Sequence, residues 1–202
     1  MPIVVSKDFY IIDGQGRFLA CKQLGLPIHF IIANDVDESD IILLNVGREN
    51  WRIENYLNFY VNNGHKHYLL VAQILDELPN LRVNDILRIH QYRYKDLSMT
   101  ETFYSGKYTI NKSGVHKCRL LSQVFSAIEN NVPKKKIVGR SSLISAISSV
   151  LSDADASANR LIQQIKKYPF LFEAQADATH YKNKLEEIYN YRKRTKVSFK
   201  YK

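Results

Sequence analysis

Cysteine is scarce in this chain, and nothing pairs the two that are present. Cys21 and Cys118 lie far apart with no CxxC or Cys/His spacing around them. Neither a disulfide framework nor a zinc site is indicated, and both read as buried thiols in a reducing cytoplasm. Long apolar runs are missing too. No stretch approaches the roughly 20 apolar residues a membrane span needs, and the opening residues, Met1 to Gly16, lack a basic region followed by an apolar core. The expected protein is soluble and cytoplasmic, with no membrane partner. Acidic residues are outnumbered, 20 Asp and Glu against 29 Lys and Arg. No Ser/His/Asp grouping, His/Cys pair or clustered carboxylates marks a catalytic centre. His65 and His67 have no acidic or thiol partner at ligand spacing, so no metal ligands are assigned.

What remains is a basic, well-patterned globular chain. The formal net charge of +9 makes a polyanion a natural partner, because each cation set against a phosphate releases condensed counterions. The 45% hydrophobic content of 202 residues suffices for one good core or two small ones. The first third alternates strand and helix. Ile3 to Val5 and Phe9 to Ile12 read as a hairpin around Ser6-Lys7-Asp8, Arg17 to Leu24 as a helix stopped by Gly25, and Ile28 to Ala33 as a buried strand. Asp37-Glu38-Ser39 resembles the start of a short helix, with Ile41 to Leu44 as its apolar part.

Further on, Trp51 to Val61, Tyr68 to Leu78 and Val83 to His90 carry helical spacing. The last two, separated by Pro79-Asn80, are compatible either with a helix-turn-helix over residues 68–90 or with two core helices. Tyr92 to Tyr104 reads as irregular and residues 106–110 as a strand or connector. Helices follow over Val115 to Ile128, Ser141 to Leu151, Ala156 to Tyr168 and Ala178 to Tyr191. The fold class is α+β, a small mixed domain over residues 1–64 followed by a helical region over 65–202.

The segment with the most chemistry is Ile11-Ile12-Asp13-Gly14-Gln15-Gly16-Arg17-Phe18-Leu19-Ala20, a strand, a glycine turn and a helix with arginine in its first turn. Glycines let backbone N–H groups approach a ligand, the helix N-terminus adds partial positive charge, and Arg17 offers a two-pronged fork. The arrangement suits a phosphate, though a plain turn has the same spacing.

With Leu24-Gly25 closing the helix, and Asn45-Val46-Gly47-Arg48 downstream, the first seventy or so residues resemble the ParB/sulfiredoxin superfamily, in particular ParB-like proteins of phages and mobile elements. The resemblance implies a small mixed fold and a phosphate or nucleotide site formed by Asp13, Gly14, Gln15, Gly16, Arg17, Asn45 and Arg48. It implies a nucleoside triphosphate, CTP or ATP with magnesium, as ligand, in a bacterial or phage-infected cell. The departures matter as well. Gln15 and Leu44 stand where partition-type members have carboxylates, which argues against hydrolysis, and Gln15 also stands where sulfiredoxins have their cysteine, which argues against that activity. The family's opening strand is missing, so the domain is either trimmed or a fragment.

Two basic runs complete the candidate surface: Lys134, Lys135 and Lys136 with Arg140, and Arg192, Lys193, Arg194 and Lys196 near the C-terminus. Tyr189, Tyr191, Phe199 and Tyr201 interleave with the second, a composition suited to gripping a phosphate backbone and stacking on bases. The leading expectation is a ParB-like DNA-binding protein whose helical part contacts DNA and self-associates, as a homodimer. The alternatives are a ParB-like nuclease or nucleotide hydrolase, and an interaction module with no ligand.

Overall fold

Alternating apolar residues at Ile3, Val5 and Ile12 give the N-terminal segment one face to bury, and that face organises a three-stranded sheet. In the computed structural model, which describes residues 2–34, 51–91 and 93–199, the chain divides into two units, residues 1–55 and 56–202. Strand β1 (Ile3–Ser6) is central, antiparallel to β2 (Ile11–Asp13) and parallel to β3 (Phe30–Ala33). Helix α1 (Gln15–Leu24) makes the crossover between β2 and β3. The hairpin turn is wider than the sequence suggests. Phe9 adopts a left-handed backbone at φ 63°, and Ser6 Oγ accepts N–H bonds from Asp8 and Tyr10, so Phe9 and Tyr10 belong to the turn.

The apolar run ending at Ala33 does contain a strand, but a shorter and more exposed one than expected. Phe30, Ile31 and Ile32 are each at least 43% exposed within the described residues. Among the described residues β3 is an edge strand, paired with β1. The expected short helix that includes Ile41 to Leu44 lies outside the described residues.

The second unit is helical. Helix α2 (Ile53–Asn62) enters it, and the division between the units falls inside this helix. The reason is aromatic packing. Tyr56 stacks on Tyr104 with ring centres 4.1 Å apart, and Tyr60 packs against Tyr68 at 4.4 Å while its hydroxyl donates to Tyr104 O. Helices α3 (Lys66–Glu77) and α4 (Val83–His90) come next, then α5 (Met99–Tyr104).

Helix α5 lies in the stretch expected to be irregular. Its start is set by a capping box, in which Ser98 Oγ accepts from Glu101 N and Glu101 Oε2 accepts from Ser98 N. Residues 107–110 form no strand, but Tyr108 and Ile110 are buried beneath the helices.

The centre of the unit is α6 (Lys112–Asn131) and α7 (Arg140–Leu151), against which α4, α8 (Ala158–Lys167) and α9 (Ala178–Asn190) pack. The Ser-rich sequence of α7 is an apolar core helix, with Leu143, Ile144, Ala146, Ile147 and Val150 all buried. Short 3-10 turns, Lys134–Lys136 and Pro169–Leu171, join these helices. Among the described residues, no helix is long and apolar enough to cross a membrane.

Candidate functional site

The glycine turn folds as its residues dictate. Gly14 caps α1 in a left-handed conformation at φ 95°, a region costly for side-chain-bearing residues, and Gly25 ends the helix in the same region at φ 63°. Phe18 N–H is the first helical amide to bond back, to Gly14 O, so the amides of Gln15, Gly16 and Arg17 precede the intrahelical ladder. The arginine fork is not pointed freely outward. Arg17 NH2 donates to Asp13 Oδ2 at 2.9 Å, and the guanidinium lies across the glycine, where a Cβ on Gly14 would meet NH2 at 2.8 Å.

Beside the turn is a cavity of about 200 Å³ lined by Ile3, Arg17, Ala20, Cys21, Pro27 and His29. Cys21 is partly exposed and not the buried thiol expected, whereas Cys118 is buried and its thiol is pushed up to about 12 by loss of solvation. Asp13, Gly14, Gln15, Gly16 and Arg17 are thus contiguous around one helix end. Asn45 and Arg48 lie outside the described residues. No group of three or more His, Cys, Asp or Glu is placed to hold a metal ion among the described residues. Asp13 is engaged by Arg17.

The residues assigned to nucleic acid divide into two sets. Arg140 is committed to the interior. Its NH2 donates to Asp85 Oδ2 at 2.6 Å and to Asn80 O at 2.7 Å, and the guanidinium stacks over the Phe125 ring at 4.2 Å. Through that one nitrogen it braces the start of α7 against α4. Lys136 Nζ donates to Phe172 O at 3.2 Å, while Lys134 and Lys135 are exposed. Arg192, Arg194 and Lys196 are exposed and Lys193 is partly so.

Two of the aromatic residues expected to stack on bases cannot do so. Tyr189 and Phe199 are buried against each other, with ring centres 5.1 Å apart. The C-terminal segment is not a loose tail either. Phe199 N donates to Glu186 Oε2 at 2.7 Å, and Asn190 brackets Val197 by bonding both its N–H and its carbonyl.

The ring presented to solvent is one that sequence reading passed over. Phe170 sits on the 3-10 turn behind Pro169 and is 63% exposed, in edge contact with Tyr168 at 6.1 Å and Tyr191 at 6.4 Å. Arg192 lies 5.5 Å from the Tyr168 ring centre and 5.6 Å from that of Tyr191, and Lys167 Nζ lies 5.5 Å from Tyr168. Charge interaction with the Tyr168 hydroxyl, then hydrogen bonding to that of Tyr191, holds the Arg192 proton more tightly than usual. Both basic runs therefore touch one short segment, residues 168–172: Lys136 at Phe172 and Arg192 at Tyr168. An apolar ring held between charged residues was the available signal in Lys166-Lys167-Tyr168-Pro169-Phe170.

The possible helix-turn-helix over residues 68–90 is present as two helices, α3 and α4. Five of the eight α4 residues, Val83, Asp85, Ile86, Leu87 and Ile89, are buried, and Arg88 NH1 donates to Ser141 O. Little of α4 is left to read base edges. No family model, curated protein or solved structure matches this chain.

Proposed function

We propose that this is a ParB-like DNA-binding protein that holds nucleic acid through the basic and aromatic surface around residues 168–172, and a nucleotide or DNA phosphate at the Gly14–Arg17 turn. The observation that carries the reading is the exposed Phe170 ring set among Tyr168, Tyr191, Lys167 and Arg192. An exposed ring is a stacking surface for a base, and the surrounding cations supply the backbone charge such a site requires. The net charge of +9 supports the same reading. So do the two edge contacts of the ring with Tyr168 and Tyr191, which limit the freedom it loses on binding.

The test is a salt series of binding titrations on single-stranded and duplex DNA. Removing residues 192–202 would take the buried Phe199 out of the core, so charge neutralisation is the sounder variant. Arg192→Gln with Arg194→Gln and Lys196→Gln should flatten the slope of log affinity against log salt by about 0.7 to 0.9 for each phosphate the protein no longer neutralises. Phe170→Ala should weaken single-strand binding without changing that slope. Unchanged affinity in both variants, or no binding to either DNA form at low salt, would overturn the proposal.

A further inference from the structure

Helices α3 and α6 of the second unit are tied to each other at two points, near their starts and further along. Ile110 N–H donates to His67 Nδ1 at 3.2 Å, tying the first turn of α3 to the residues just before α6. Further along, Arg119 NH2 reaches Glu77 Oε2 at 3.3 Å, tying the last turn of α3 to the body of α6. Between these ties is a groove of about 880 Å³.

Its walls are two helical rows. Lys66, Leu69, Leu70 and Gln73 line it from α3, and Lys112, Val115 and Arg119 from α6. The i, i+3, i+7 spacing of each row sets it along one face of its helix. The floor is apolar and open enough that Leu69 is 44% exposed. No aspartate or glutamate is among the described residues lining it, whereas Lys66 and Lys112 each occupy the first turn of a helix. Their charges add to the positive ends of two helix dipoles.

We propose that this groove receives an amphipathic helix of a partner protein, with its apolar row on Leu69, Leu70 and Val115 and with acidic residues flanking that row. The seat spans residues 66 to 73 of α3, roughly 10 Å at the rise of an α-helix, enough for about two turns of the occupant. Charge complementarity selects the acidic partner. A second copy of this chain would bring a surplus of nine positive charges towards Lys66 and Lys112. A sugar–phosphate backbone would satisfy the lysines but leave the leucine floor in contact with polar groups, at a desolvation cost with no return. The site is separate from the Phe170 surface and stands or falls independently of it.

The experiment is a selection of displayed, randomised helical peptides on the full chain, followed by fluorescence anisotropy of the enriched peptides. Enriched sequences should place Leu, Ile or Phe at i, i+3 or i+4, and i+7, with Asp and Glu alongside. Leu69→Glu should weaken them at least tenfold. Leu69 is exposed, so that variant should melt like the wild type, and a matched melting curve is the control. Lys66→Glu with Lys112→Glu should reverse the selected charge from acidic to basic. Three results would overturn the proposal: no enrichment of acidic residues, equal binding to the Leu69→Glu variant, or a charge reversal that costs DNA affinity while leaving peptide selection unchanged.

Discussion

Arg140 and Asp85 form the most buried ion pair among the described residues, 2.6 Å apart, and join the start of α7 to the first turn of α4. Asp85 has a second task, accepting the N–H of Arg82 at 3.0 Å to cap α4. Its side chain is 5% exposed and that of Arg140 24%. Removing one partner leaves the other charge without compensation in a poorly solvated place. Arg140→Met should cost about 3 kcal/mol of unfolding free energy. The double variant with Asp85→Asn should recover part of that loss, because no lone carboxylate remains. Urea unfolding of the two single variants and the double variant checks this, and strictly additive losses would contradict the coupling.

His90 should make stability depend on pH. Burial lowers its pKa, and the nearby Lys117 adds to the effect, while Nε2 bonds Thr109 O at 3.1 Å. The folded state therefore favours neutral imidazole, and the unfolded chain takes up the proton first as pH falls. This contribution to stability is complete above about pH 6.5, declines as pH drops below that value, and levels off beneath the lowered folded pKa. Melting temperatures measured from pH 7.5 to 5 should fall less steeply in His90→Gln than in wild type.

Gly114 is a helical position where alanine should do harm. In an open helix, alanine would gain about 1 kcal/mol over glycine. Here a Cβ would meet His90 Nδ1 at 2.6 Å and Ile110 Cγ1 at 2.9 Å, both in packed surroundings. Gly114→Ala should therefore destabilise by about 1 to 3 kcal/mol, read as a lower denaturation midpoint. Gly16→Ala, with nothing within 4 Å of the added carbon, is the matched control and should melt at or above the wild-type temperature.

Arg17 carries the phosphate part of the proposed function. Arg17→Ala should weaken binding of CTP or ATP measured by calorimetry, while the strands of the first unit persist, since the side chain is partly exposed and its ion pair with Asp13 is local. Asp13→Asn should have the opposite effect on affinity, releasing the guanidinium toward the ligand. If neither substitution changes nucleotide affinity, the turn is not the site.

Much of the local structure was legible because it depends on near neighbours. Val83–His90 folds as a helix over the span its spacing gives, and Gly25 stops α1 because only a residue tolerant of positive φ ends a helix that way. Ser98 and Glu101 carried an equally local signal for α5, hidden within an otherwise polar stretch. The extent of α6 was harder to read, since its first turn is fixed by Asn111 accepting from Gly114 N, ahead of the apolar periodicity.

The sequence by itself determined an α+β chain with a strand-turn-helix at its start, helices after it, and a large surplus of positive charge. Those properties follow from residue type and short spacing. Only the tertiary structure decided which charges and rings face solvent. Arg140 and Arg192 both stand in basic runs of the sequence, yet one is held by a carboxylate brought from α4 and the other is exposed over the rings of Tyr168 and Tyr191. Phe199 and Phe170 are chemically identical, yet the first is enclosed by α9 and the second is held out on a proline-led turn. Burial is set by partners distant in the chain, and no local pattern encodes them.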